Sequence, residues 1–155
     1  MKKLFMITAQ QIKELRDKTG VSVSACKYAL EEAGGDMEKA LAVLQRESAK
    51  SAEKKADRVL GFGVIEAYVH NNKKVGVILE LKSESDFVSG NEEFRTLAKD
   101  IAMHIAASSP SDMGELMGQS YIKNQAVTVK ELLNQAVQKF GEKIEVSRFA
   151  KYNLS

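Results

Sequence analysis

Polar and apolar residues repeat with two different periods along this chain, and the change of period divides it. Up to about residue 58 the apolar positions recur every three or four residues, the spacing of helices packed on one side. Thr8 followed by Gln11 has the form of a capping box, which predicts a helix starting near residue 9, with Ile12 and Leu15 on one face and Gly20 as its stop. A second helix is predicted from Ser22 or Val23 to Ala33, striped by Cys26, Ala29, Leu30 and Ala33. Gly34-Gly35 breaks it. Asp36 caps a third helix, striped by Met37, Ala40, Leu41 and Leu44, which continues through a polar tract of helix formers to Arg58.

Beyond Gly61 and Gly63 the period falls to two. Residues 64–69 and 75–81 read as the strands of an antiparallel hairpin, with a turn at 70–74. A short polar loop follows at 83–90. Asn91 then caps a helix from about Glu92 to Ala107, whose buried stripe is Phe94, Leu97, Ala98, Ile101 and Ile105. Residues 111–118 are weakly patterned and carry no assignment, and Tyr121-Ile122 reads as a short extended piece. Thr128 with Glu131 forms another capping box, opening a helix that ends at Gly141; residues 143–152 alternate as a third strand. The expected fold is α+β in two domains: a three-helix module with a helical connector over residues 1–57, and a small antiparallel sheet covered by helices over 58–155.

Composition narrows the function more than the fold. Basic and acidic residues nearly balance, 23 against 21, so a phosphate-backbone binder is not expected and no nucleic acid is invoked. The basic cluster Lys54, Lys55 and Arg58 is interleaved with Glu53 and Asp57 and has no aromatic residue, as befits a solvated helix face. Residues 1–7 begin like a signal peptide, but the apolar run stops at Thr8, and no window reaches membrane-spanning length; a soluble cytoplasmic protein with no membrane partner is expected. The single cysteine, Cys26, excludes an intramolecular disulfide and sits on an apolar helix face, where a small core residue is expected rather than a nucleophile. His70 and His104 have no His or Cys at metal spacing, and neither a phosphate loop nor a nucleophile elbow occurs. Glu84 and Asp86 read as solvated carboxylates. No cofactor, metal or covalent chemistry is expected, so the chain is not read as an enzyme.

One stretch stands out chemically. The loop at 83–90 carries one acid, Asp86, and one bare aromatic, Phe87. Burial of a phenyl ring contributes about 1.5–3 kcal/mol, so on residue type alone the favoured place for Phe87 is folded back on the core, the other being outward toward a partner.

Several stretches in register resemble the translation elongation factor Ts family. They are Leu15-Arg-Asp-Lys-Thr-Gly20 with Cys26-Lys-Tyr-Ala-Leu30 and Gly35-Asp36, then Ser85-Asp86-Phe87-Val88, then residues 102–110, and the tail from Val129 through Gly141-Glu-Lys-Ile144 to Arg148-Phe149. The resemblance implies a ubiquitin-associated-like N-terminal module and a guanine nucleotide exchange factor for elongation factor Tu. It implies that the exchange loop is Ser85, Asp86, Phe87 and Val88, with Phe87 a wedge inserted near the GTPase's magnesium and phosphate site and Asp86 its polar companion. That reverses the place favoured for Phe87. It further implies partner contacts at Arg16, Val23, Ser24, Lys27, Lys55 and His104; for His104 a structural role on its helix is the competing reading. Val23 and Ser24 stand where family members carry a Met pair, and Ser85 where they carry Thr. The long helical insertion usual in the family after the Pro110 region is nearly absent. The resulting half-size core points to pairing of two copies in a homodimer. A partner-binding module without exchange activity is the alternative function, and an RNA-associated accessory protein is disfavoured by the charge balance.

Overall fold

The structure, a computed structural model, describes residues 6–154; the apolar run at the start of the chain lies mostly outside them. Among the described residues the order is α1 (Ala9–Thr19), α2 (Val23–Glu32), α3 (Met37–Lys54), β1 (Phe62–Val69), β2 (Val75–Ser83), α4 (Asp86–Ser89), α5 (Glu92–Ser108), α6 (Met113–Gly118), β3 (Ser120–Tyr121), β4 (Asn124–Thr128), α7 (Val129–Phe140) and β5 (Glu145–Asn153). The fold is α+β, with N-terminal helices followed by a small antiparallel sheet and its helices. It divides into two compact units. One runs to Lys54 and takes in Asn134–Gly141; the other holds Lys55–Leu133 and the residues from Glu142 onward.

In the first unit, local chemistry sets each helix boundary. The Thr8 hydroxyl accepts from the Gln11 N–H while the Gln11 side chain accepts from the Thr8 N–H, and Gly20 ends α1 at φ 70°, a backbone region that disfavours a Cβ. Ser22 caps α2, and Asp36 accepts from the Lys39 N–H at the start of α3. The three helices enclose a core of Leu15, Val21, Cys26, Ala29, Leu30, Ala40 and Leu44. Cys26 is fully buried there, and burial pushes its thiol pKa up, as an inert core residue requires.

In the second unit β1, β2 and β5 form one antiparallel sheet in the order β1-β2-β5. Val77, Leu79 and Leu81 of β2 are buried on its inner face, against which α5 packs through Phe94, Ala98, Ile101 and Ile105. The third strand departs from simple alternation. Glu80 pairs with Arg148 and Leu81 with Val146, so Ser147 is an extra residue, a β-bulge. Its hydroxyl donates to the Glu80 carboxylate at 2.5 Å. The bulge flips the strand, so that Val146, Phe149 and Lys151 share the inner face, while Arg148, Ala150 and Tyr152 share the outer one. Lys151 then reaches the end of α5, donating to the carbonyl of Ala106 at 2.8 Å and to the Ser109 hydroxyl. Cations at a helix C-terminus are favoured by its unpaired carbonyls.

The segment left unassigned from sequence is also ordered. Asp112 caps α6, and β3 pairs with β4 in a small hairpin beside α5. His104 fastens this hairpin. Its side chain is fully buried; Nε2 lies 2.9 Å from Gln119 Oε1, and Nδ1 accepts from the Ile122 N–H at 3.2 Å. The two contacts assign the proton to Nε2, because Nδ1 receives a backbone donor.

Candidate functional site

The strand-to-helix connection after β2 is not the irregular loop expected. Asp86–Ser89 forms a single α-helical turn. A turn of this length has no stability of its own, because nucleating a helix fixes several residues for one hydrogen bond. Its frame comes from its neighbours. Ser85 is the N-cap, in extended conformation, and its hydroxyl accepts from the Val88 N–H at 3.3 Å. Val88 is buried, 5% exposed, and anchors the turn; the Asn91 N–H donates to the Val88 carbonyl at 3.0 Å. The buried Ser83 hydroxyl donates to the Ser85 carbonyl at 2.9 Å.

The segment between α7 and β5 supplies the remaining support. Glu142 Oε1 accepts from the backbone N–H groups of Glu84, at 3.2 Å, and Ser85, at 3.0 Å, and its Oε2 accepts from the Ser85 hydroxyl at 2.6 Å. In return Glu84 Oε2 accepts from the Lys143 N–H at 2.5 Å, and Arg58 lies 3.3 Å from the same carboxylate. Glu84 is therefore not the solvated carboxylate expected, and Glu142 carries no signal in the sequence; the pairing spans 57 residues, and no local spacing announces it.

On this supported turn Asp86 and Phe87 both face solvent. Phe87 is 84% exposed, which overturns the place that residue type alone favoured for it. The reason is geometric: with Val88 turned inward and Ser85 held as the cap, the two positions between them on the one-turn helix, Asp86 and Phe87, point away from the core. The four loop residues therefore come together as one unit with divided roles. Ser85 and Val88 face the protein, and Asp86 and Phe87 face away from it.

The other sequence-predicted residues lie apart from this turn along the chain. In the first unit Arg16 and Val23 line a shallow groove with Ala9, Ile12, Lys13 and Asp17. Val23 is 49% exposed, Ser24 is exposed with its hydroxyl 3.1 Å from that of Ser22, and Lys27 is exposed and 3.9 Å from Glu31. Lys55 is half-buried just beyond α3. His104 is the exception to surface placement: it is fully buried, with both ring nitrogens bonded within the chain, and burial lowers its pKa. No group of three or more His, Cys, Asp or Glu among the described residues is arranged to hold a metal ion, and none of the described helices is long and apolar enough to cross a membrane.

A family model described as Elongation factor TS matches residues 8–113 and, in a second overlapping match, residues 84–155. Among curated proteins, Elongation factor Ts of Carboxydothermus hydrogenoformans is 37% identical over 194 aligned positions, covering 96% of this chain and 89% of the relative. Elongation factor Ts of Thermosipho melanesiensis is 38% identical, covering 96% and 99%, and that of Thermodesulfovibrio yellowstonii is 38% identical, covering 96% of each. The alignment with the first runs to 194 positions and the chain to 155 residues, so the relative carries an additional segment that this chain lacks.

Proposed function

Because this chain belongs to the elongation factor Ts family, we propose that it is a guanine nucleotide exchange factor for elongation factor Tu, and that the turn bearing Asp86 and Phe87 is the part that acts on the GTPase. The observation that carries this reading is the exposure of Phe87, 84%, on a turn whose other apolar residue, Val88, is buried. A large apolar side chain held in water on a supported turn gains free energy when a partner covers it.

The action is linkage and not bond-making. A factor that binds the nucleotide-free GTPase more tightly than the loaded one weakens nucleotide binding by the same ratio, and nucleotide weakens the factor in turn. Phe87 is the wedge that enters beside the magnesium and phosphate site of the GTPase, with Asp86 next to it. Ser85 and Val88 hold the wedge in place. The groove of Arg16 and Val23, with Ser24 and Lys27, is the docking surface of the N-terminal module, and Lys55 adds a contact from the connector. The reading places the protein in the cytoplasm, where translation occurs.

The test is release of a fluorescent GDP analogue from elongation factor Tu, with the wild-type chain and with Phe87→Ala. If the ring supplies ~2–3 kcal/mol of preference for the nucleotide-free state, the variant accelerates release roughly 30- to 150-fold less than wild type. Binding of wild type without faster release would replace this reading by that of a binding module.

A second surface supports the homodimer. The outer face of the sheet exposes Ile65 at 56%, Val69 at 56%, Ile78 at 48% and Tyr152 at 76%, next to Ala67 and Ala150. A second copy offers the same patch, as an isologous contact requires.

A further inference from the structure

We propose that Glu142 is a positioning residue of nucleotide exchange, which sets the direction of the Phe87 ring from a distant part of the chain. The inference rests on the exchange reading given above.

The argument begins with donors. Where β2 gives way to α4, the chain leaves the sheet, and the N–H groups of Glu84 and Ser85 need acceptors. One carboxylate oxygen of Glu142 takes both, and the other takes the Ser85 hydroxyl proton. This last bond has a directional consequence. A serine hydroxyl has one proton and two lone pairs. With the proton committed to Glu142, a lone pair is left for the Val88 N–H, the bond that closes the cap. Glu142 thus orients the cap, the cap starts the turn, and the turn carries Phe87 as its second residue.

The support runs in both directions. Glu84, on the exchange-loop side, accepts from the Lys143 N–H, so each segment lends a carboxylate to the other's backbone. Gly141, at φ 73°, immediately precedes Glu142 and ends α7. A charged acceptor serving three donors contributes more than a neutral one, and losing it leaves those donors in search of water.

Backbone amide exchange by NMR and GDP-analogue release from elongation factor Tu test the inference together, using wild type, Glu142→Ala, Glu142→Gln and Phe87→Ala. In Glu142→Ala the Glu84 and Ser85 amides are expected to exchange at least about tenfold faster while the β2 and α5 amides keep their protection. Maximal GDP release is expected to fall by about tenfold with a smaller change in the half-saturating concentration, because docking by the N-terminal module is untouched. Glu142→Gln retains one acceptor oxygen and is expected to recover part of both losses. Phe87→Ala is expected to lose release while keeping amide protection at 84 and 85.

Unchanged amide protection in Glu142→Ala, or unchanged release despite lost protection, would overturn the positioning role. A loss of protection spread across the sheet would overturn it too, since Glu142 would then be a general stabiliser. Failure of the wild-type chain to speed release would instead sink the exchange reading, and the amide measurements would still decide whether Glu142 holds the turn.

Discussion

Two residues show what a side chain's type leaves open. Phe87 is apolar and lies outside; His104 is polar and lies inside. The average preference of Phe for burial was the wrong guide because its neighbours, Val88 and the Ser85 cap, decide which side of the turn faces the core. His104 is stable inside because both nitrogens are satisfied, one by Gln119 and one by the Ile122 N–H. Its pKa is lowered, first by burial. The unfolded chain therefore takes up a proton before the folded one does. The stabilisation is complete above about pH 6.5, the ordinary value, and is lost as the pH falls from there through the lowered folded value. The nearby Tyr121 ring, 5.9 Å away, is pushed up to about 12 by burial and by Asp100, so it stays neutral throughout. Urea unfolding between pH 7.5 and pH 5 should show this decline in wild type and a shallower one in His104→Gln. His104→Ala, which opens a cavity and withdraws the acceptor of Ile122, should cost about 2–4 kcal/mol at pH 7.5 in the same assay.

Elements with strong local signals were readable in the sequence. The two capping boxes at Thr8 and Thr128 start α1 and α7 where expected, and period-two runs mark β1 and β2. The elements missed are short or set from afar. The turn α4 has four residues, too few for a helical period. Of the β3–β4 hairpin, whose first strand has two residues, only the extended piece at Tyr121 is legible, and the bulge at Ser147 depends on a partner strand 67 residues away. Continuous alternation through β5 was accordingly the wrong expectation, since one extra residue reverses every side chain beyond it. Close pairing of β1 and β2 also depends on a missing side chain. A Cβ on Gly63 would stand 2.4 Å from the Leu81 carbonyl oxygen. Gly63→Ala should force the strands apart and lower stability by about 1–3 kcal/mol in thermal or denaturant unfolding, with the first unit's helices retaining their circular dichroism signal.

For the whole molecule, the proposed homodimer is tested at the outer face of the sheet. If two copies meet there, Ile78→Glu places a charge on each side of the contact, and sedimentation should change from dimer to monomer without loss of fold. A wild-type chain that sediments as a monomer at working concentration would reject the dimer. Arg16 and Val23 were legible as separate residues, but only folding brings them to one groove. The turn after β2 bears on speed as well as affinity. A segment that must fold as it binds loses conformational entropy at that step and slows productive encounters. This one is pre-organised before any collision, so on the exchange reading proposed above association with the GTPase should be limited by diffusion and orientation alone, and turnover by how quickly incoming nucleotide dislodges the ring.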